Sequence, residues 1–209
     1  TAETNRAMAG VLVTFKDIHG DDEAFYQVTD SLGFFNMPVK EGRDLYIKAQ
    51  KNGYFGDANT ISTLEATESQ EFSKDFFLST IPKGDIIIPG IEYEFNKADL
   101  QPQSIKVLND LVDFLNLNNN LKVEISSHTD EQGNDDYNLK LSQDRAKIVV
   151  DYLISKGIAA DRLIAIGHGE TQLLVEHAET EEDHQKNRRT VLRTISESEI
   201  KTTDIKISN

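Results

Sequence analysis

The sequence predicts two domains, an all-β sandwich followed by an α+β domain whose helices pack on one sheet. Apolar residues alternate with period two through the first 80 residues, and no amphipathic helix of three turns interrupts them. From residue 91 onwards, stretches of period two alternate with stretches of helical period. We therefore place one domain at 1–80 and the other at 91–196, with a Pro- and Gly-containing linker at 81–90 and a polar tail at 197–209.

Short strands separated by turn residues make up the first predicted domain. Val11, Val13 and Phe15 alternate along one strand, and turn residues follow at 19–22. Further strands are predicted at 26–28, 34–39, 45–49 and 71–78. Short strands at such close intervals favour a small sandwich.

The second domain is predicted in the order β-α-β-α-β-(α)-β. Tyr93 and Phe95 indicate its first strand, and Pro102 stands where a first helical residue is favoured. An apolar face then recurs at helical spacing through Ile105, Leu108, Val112 and Leu115, and the helix ends at 118–120. Later elements are a strand at 123–125, a polar loop at 126–137, a helix lined by Leu141, Val149 and Leu153, a strand at 163–166, a short acidic helix at 180–186 and a strand at 191–195. Gly157 is expected to cap the second helix.

The composition excludes several classes of partner and chemistry. Lys and Arg number 22 and Asp and Glu number 36, so the formal net charge is -14 and nucleic acid is not an expected partner. No apolar run approaches the roughly 18 residues that a membrane span needs. The chain has 0 cysteines, which excludes disulfides, Cys-ligated metals and thiol catalysis. Its first residues lack a signal-peptide pattern, so we expect a processed or excised piece.

A polar constellation surrounds the start of the second predicted helix. Asn138, Ser142 and Arg145 stand at i, i+4 and i+7 and share one helix face, and Asp130 ends the preceding strand. A carboxylate and a guanidinium in one small region can bind a zwitterion, the first holding its ammonium and the second its carboxylate. The alternative is a surface salt bridge between Asp130 and Arg145, worth about 0–1 kcal/mol.

Several multi-residue motifs occur in one order through the second domain. They are His128-Thr129-Asp130, Gly133, Asn138, Leu141-Ser142, Arg145-Ala146, Gly157, residues 167–170 and Asn187-Arg188-Arg189. On these residues, about 86–196 of the chain resembles the OmpA-like (OmpA C-terminal, Pal/MotB-type) peptidoglycan-binding domain. The predicted β-α-β-α-β order agrees with the fold of that family.

The resemblance implies non-covalent binding of peptidoglycan in the periplasm. In that family a pocket takes the free amino-acid end of diaminopimelate in the stem peptide. By motif position, Asp130 is expected to bind the ammonium and Arg145 the carboxylate. Asn138 and Arg188 are expected to line the same pocket, and Thr129 to add a backbone N–H. No catalytic residue, metal or cofactor is implied.

Three positions depart from the family pattern. Ser127 stands where a glycine is usual, which is tolerated unless the backbone there has positive φ. Asn96 replaces a frequent aspartate and removes one acidic group near the pocket mouth. Leu173-Leu174 stands near a usual proline.

Arg189 follows Arg188 on a predicted strand, so the two side chains should point to opposite faces of the sheet. We expect Arg189 to form a salt bridge with the acidic segment 180–183.

The first domain resembles a carboxypeptidase-regulatory-like (transthyretin-like) sandwich. The resemblance rests on 10–13, the T-D-x-x-G-x-F turn at 28–35, 45–49 and the Gly-Tyr turn at 51–54. It implies a spacer or interaction module without catalytic residues. The pairing of the two domains is similar to outer-membrane-associated proteins of Bacteroidota, including a component of the type IX secretion machinery. Upstream domains or outer-membrane proteins are therefore expected partners.

Two other functions stay open on the sequence. His128 and Asp130 flank Thr129 and could chelate a metal, but a histidine at a strand end is more often a hydrogen-bonded structural residue, and no HxxxH or HExxH pair occurs. The acids of loop 130–136 lack EF-hand spacing and resemble solvated loop acids more than a hydrolase pair. A wall-fragment hydrolase is thus the less favoured alternative. The other is a protein-interaction module that binds no wall.

Overall fold

The computed structural model describes residues 1–20, 23–66, 70–91, 93 and 98–195. The chain divides into two compact units, Thr1–Pro82 (unit 1) and Lys83–Asn209 (unit 2). Within the described ranges, no helix combines the length and the apolar character needed to cross a membrane.

Unit 1 consists of strands and irregular segments. The strands are β1 (Leu12–Asp17), β2 (Phe25–Val28), β3 (Asp44–Gln50), β4 (Tyr54–Phe55), β5 (Asp57–Ser62) and β6 (Ser79–Thr80). Four of them form an antiparallel sheet in the order β2-β1-β3-β5, and β4 pairs with β6 separately. Val13 lies opposite Ala49 and Phe15 opposite Ile47, so one sheet face carries the apolar core.

Two predicted strands of unit 1 are wrong, and three of its described strands, β4, β5 and β6, were not predicted. Residues 34–39 are irregular. The Asp30 carboxylate accepts hydrogen bonds from the backbone N–H groups of Leu32 and Phe34, and these bonds close a turn just before the segment. Residues 71–78 form no strand, although Leu78 reaches the core. The longest of the unpredicted strands, β5, has no apolar alternation and is held by pairing with β3. The described strands of unit 1 form one four-stranded sheet and a separate two-stranded pair. The transthyretin-like sandwich topology therefore stays a prediction.

Unit 2 is an α/β unit with one mixed sheet. Its elements are β7 (Asp85–Ile87), α1 (Ser104–Leu117), β8 (Lys122–Ser127), α2 (Asp135–Ser155), a 3-10 turn (Ala160–Arg162), β9 (Leu163–Gly167), α3 (Glu181–Asn187) and β10 (Thr190–Ile195). The sheet order is β7-β10-β8-β9, in which only β8 and β9 run parallel among the pairs described. The order from α1 to β10 is the predicted one, and Gly157 follows α2 at a φ of 94° as expected.

The start of unit 2 differs from the sequence prediction. The segment 81–90 is more than a linker, because β7 pairs there with β10. Tyr93 forms an isolated bridge with Leu100, and Phe95 lies outside the described residues. Pro102 sits in a turn before α1, since the backbone N–H of Ile105 donates to its carbonyl over 3.2 Å.

The first half of α2 is fixed against the end of β9 by side-chain and backbone contacts. The Gln143 amide accepts from Gly167 N–H and donates to the Ala165 carbonyl, over 2.8 and 3.1 Å. The Ser142 hydroxyl accepts from Gly169 N–H over 2.8 Å. A Cβ at Gly167 would lie 2.1 Å from the backbone nitrogen of Gln143, so only glycine allows this approach. The contacts set the position of the helix face that carries the candidate site.

Candidate functional site

One cavity of about 530 Å³ in unit 2 brings together the residues that the sequence singled out. All five predicted site residues line it: Thr129, Asp130, Asn138, Arg145 and Arg188. They come from three places, namely the segment after β8, the buried face of α2 and the residue that follows α3. Other lining residues, which the sequence prediction missed, include Tyr93, Gln132, Tyr137, Glu181 and Gln185.

A tight loop between β8 and α2 presents Asp130 to the cavity. The Asn134 side chain caps α2 by accepting from the backbone N–H groups of Asp136 and Tyr137. Asp130 Oδ1 accepts from Gln132 N–H over 3.2 Å, which closes the loop upstream of this cap. Only 6% of Asp130 is exposed, so its carboxylate needs charged or hydrogen-bonding partners within the fold.

The Asp130 carboxylate is paired with Arg188. Arg188 Nη1 donates to Asp130 Oδ2 over 2.6 Å. His184 Nδ1 lies 3.7 Å from the same oxygen, and its Nε2 lies 3.1 Å from the Gln132 amide nitrogen. His184 is therefore a buried neighbour of the site. The sequence could have indicated His184 only through its spacing, because it precedes Arg188 by four residues, about one helical turn.

Arg188 joins the buried carboxylate to two residues at the cavity rim. Its Nη2 forms an ion pair with Glu181 and donates to Gln185 Oε1 over 2.8 Å. Its Nε also donates to Gln185 Oε1, over 3.3 Å. Glu181 and Gln185 lie on α3, which places them within reach of the arginine that follows the helix.

Arg145 enters the cavity from α2 and is almost fully buried. Its guanidinium carbon lies 4.7 Å from the centre of the Tyr93 ring, a cation–π contact. Burial lowers the pKa of Arg145, while the neighbouring Tyr93, Tyr137 and Asp130 act against that shift. Burial also raises the pKa of Tyr93, whose hydroxyl lies 3.0 Å from Thr190 Oγ1. An arginine stays charged under such conditions, so the cavity keeps a buried cation.

Asn138 lines the cavity and also holds its wall together. Its amide nitrogen donates to the carbonyls of Asp130 and Gln132, over 3.3 and 3.1 Å. The same nitrogen donates to Glu170 Oε2 over 2.6 Å. This set of contacts joins α2 to the Asp130 loop and to the segment after β9.

The expected ligand contact through the Thr129 backbone is wrong. Thr129 N–H already donates to the Gly169 carbonyl over 2.9 Å, so it is not available to a ligand. The residue is 3% exposed, and its hydroxyl oxygen has no hydrogen-bond partner among the described residues. Thr129 therefore contributes to the cavity wall through the position of its backbone.

His128 and Arg189 also differ from expectation. Neither His128 ring nitrogen has a hydrogen-bond partner among the described residues, and the ring instead stacks on His168 at a centroid distance of 4.9 Å. Burial, together with the Arg189 charge and His168, lowers the pKa of His128 to about 3. Arg189 donates to the carbonyls of Asn187 and Gln172 rather than to the acidic segment 180–183.

The described residues account for two of the three departures from the family pattern. Ser127 lies within β8 and does not have positive φ, so a side chain is tolerated there. Asn96 lies outside the described residues. In the segment with Leu173-Leu174, the Asn187 side chain accepts from the N–H groups of Leu174 and Val175, over 2.8 and 2.9 Å. This asparagine therefore holds the loop in which the usual proline is missing.

Comparison with known proteins places these residues in a family context. The sequence profile of the OmpA family matches residues 92–188. The peptidoglycan-associated lipoprotein of Buchnera aphidicola is 33% identical over 146 residues, which cover 65% of this chain and 82% of that protein. The peptidoglycan-binding protein ArfA of Mycobacterium tuberculosis is 38% identical over 92 residues, 44% of this chain and 28% of that protein.

The crystal structure of the peptidoglycan-associated lipoprotein from Burkholderia pseudomallei is similar to 50% of this chain. The match covers 88% of that protein, at 26% identity and a TM-score of 0.47.

Proposed function

The chain belongs to the OmpA family, and from this premise we propose that it binds peptidoglycan non-covalently through the cavity of unit 2. One observation carries the proposal: a buried carboxylate, Asp130, and two guanidiniums, Arg145 and Arg188, line one cavity. Relatives of the chain are named as peptidoglycan-associated or peptidoglycan-binding proteins, which supports it. As a member of this family, the chain is a binding protein and not an enzyme.

The proposed ligand is the free amino-acid end of diaminopimelate in a stem peptide. Its ammonium would bind Asp130, and its carboxylate would bind Arg145 and the guanidinium edge of Arg188. Asn138 would keep the Asp130 loop in place while the ligand is bound. Few contacts are available to one such group, so binding at a single cavity should be modest and gain strength from the repeated sites of a polymeric wall.

This activity would anchor an assembly to the cell wall from the periplasm, in association with the outer membrane. Unit 1, which resembles a carboxypeptidase-regulatory-like module, would connect the wall-binding unit to upstream domains or outer-membrane proteins. A role in a secretion machinery of type IX is one form of this proposal. The net charge of -14 gives no support to a nucleic-acid partner.

The test uses purified sacculi that contain diaminopimelate. The whole chain should sediment with them, and Asp130→Asn and Arg145→Met should each stay in the supernatant. Calorimetry with a soluble diaminopimelate tripeptide should show that each variant binds roughly 10- to 100-fold more weakly, as expected for the loss of one charge-assisted contact. The same tripeptide with lysine in place of diaminopimelate lacks the carboxylate at the end of the side chain and should bind the unaltered chain more weakly by a similar factor.

Controls separate binding from folding. Circular dichroism should show that both variants are folded, and Asp161→Asn, which removes an exposed carboxylate away from the cavity, should bind like the unaltered chain. Sedimentation of no protein, or equal sedimentation of all the variants, would contradict wall binding through this cavity. The interaction-module alternative would then take its place.

A further inference from the structure

The rim of the cavity carries a second carboxylate that the proposed ligand chemistry does not use. Among the described residues that line the cavity, Asp130 and Glu181 are the two carboxylates, and Arg145 and Arg188 are the two guanidiniums. Glu181 lies in the first turn of α3 and pairs with Arg188 Nη2. Arg188 therefore stands between a buried carboxylate on Nη1 and a rim carboxylate on Nη2.

The two carboxylates differ in how firmly they are held. The Asp130 side chain is 8% exposed and accepts from Arg188 over 2.6 Å, whereas the Glu181 side chain is 77% exposed. An ion pair with one solvent-exposed partner is weak, because solvent screens the two charges and the long side chain loses conformational entropy when the pair forms. Glu181 can leave Arg188 at low cost, and Asp130 cannot.

From this arrangement we infer that Glu181 is a specificity-determining residue that competes with the ligand carboxylate for Arg188. This inference rests on the proposed function. A ligand carboxylate that approaches Arg188 Nη2 meets the position that the Glu181 carboxylate holds, and it is repelled by the same negative charge. A ligand whose side chain ends in an ammonium without a carboxylate has no such competitor. Glu181 thus lowers the affinity of the cavity for acidic ligand ends in particular.

The test compares two ligands on one substitution. Glu181→Gln keeps a hydrogen-bonding group beside Arg188 but removes the charge. It should bind the soluble diaminopimelate tripeptide about two- to fivefold more tightly than the unaltered chain, the range expected for an exposed pair. Its affinity for the lysine tripeptide should not rise. The gain should shrink in high salt, which screens exposed charges.

The neighbouring residue supplies a matched control. Glu182→Gln removes the same charge from the same helical turn, at a residue that pairs with Lys186 and does not line the cavity, and it should leave both affinities unchanged. If the unaltered chain binds the diaminopimelate tripeptide but Glu181→Gln binds it no better, this inference fails and the proposed function stands. Equal gains for both ligands, or for both substitutions, would also overturn it. If the unaltered chain does not bind that tripeptide, the proposed function fails, and the inference fails with it.

Discussion

His128 occupies a buried position next to the site without making a hydrogen bond to any described residue. Its ring is 2% exposed and stacks on His168, and Arg189 adds a nearby positive charge. A cation at this position would be shielded from water, and no carboxylate among the described residues would pair with it. The imidazole is therefore neutral in the folded chain, which agrees with a pKa lowered to about 3.

The buried imidazole should make stability depend on pH below neutrality. In the unfolded chain a histidine takes up its proton near pH 6.5, whereas the folded chain does not protonate His128 until about pH 3. The unfolded state thus binds more protons between these values, and stability falls as the pH is lowered. His128→Leu should remove up to about 1.4 kcal/mol per pH unit of that dependence, measured by urea unfolding between pH 7.5 and 5.

An exposed histidine in the same unit provides the comparison. His177→Asn places a residue that tolerates positive φ where His177 has a φ of 55°, and the variant should keep the pH dependence of the unaltered chain. An unchanged slope in His128→Leu would show that His128 is not the titrating group.

The sequence indicated the central charges of the cavity but not its rim. Helical spacing placed Asn138 and Arg145 on one face of α2, and the position of Asp130 at the end of the preceding strand placed its carboxylate beside them. The family motif added Arg188. Glu181 and His184 were missed because their roles depend on how α3 packs, and in sequence they resemble the solvated acidic face of a short helix. The Thr129 prediction failed because the sequence does not reveal which acceptor a backbone N–H binds within the fold, here the Gly169 carbonyl.

The contact between α2 and β9 is the structural feature that holds the site residues in place. At Gly167 the two backbones approach so closely that an added Cβ would overlap the backbone of Gln143. Backbone atoms cannot move aside as a flexible side chain can. Gly167→Ala should therefore lower the free energy of unfolding by at least about 3 kcal/mol, at the upper end of overpacking costs, as measured by urea unfolding.

Gly157→Ala distinguishes this close approach from the cost of replacing a glycine in general. Gly157 has a φ of 94° and open space around its missing Cβ, so alanine there should cost only about 1 kcal/mol of backbone strain. Similar losses of stability in the two variants would contradict the idea that α2 is positioned by the approach at Gly167.

Strong periodicity was a better guide to elements than composition was. Helices α1 and α2 and strands β1, β3, β8 and β10 carry clear patterns and lie where predicted. The segment 34–39 has the apolar residues of a strand but forms none, because the Asp30 side chain closes a turn at its start. Strand β5 has the reverse combination, since its sequence D-A-N-T-I-S has little apolar character and its pairing partner, β3, provides the hydrogen bonds.

The chain divides into two units, and the proposed wall-binding site lies in unit 2. Each described residue that lines the cavity belongs to unit 2, whereas the apolar cluster formed by Val11, residues of β1 and β3, and Leu78 belongs to unit 1. A unit with its own core is able to fold by itself. Ligand affinity at a single cavity should then depend on unit 2 alone.

A fragment of residues 83–209 should therefore fold and bind the diaminopimelate tripeptide with a Kd within about twofold of that of the whole chain. Residues 1–82 should fold without binding it, because they supply none of the described cavity residues. Calorimetry on both fragments and on the whole chain measures the comparison directly. A folded 83–209 fragment that binds tenfold more weakly would mean that unit 1 contributes to the site, and the connector role proposed for unit 1 would have to include ligand recognition.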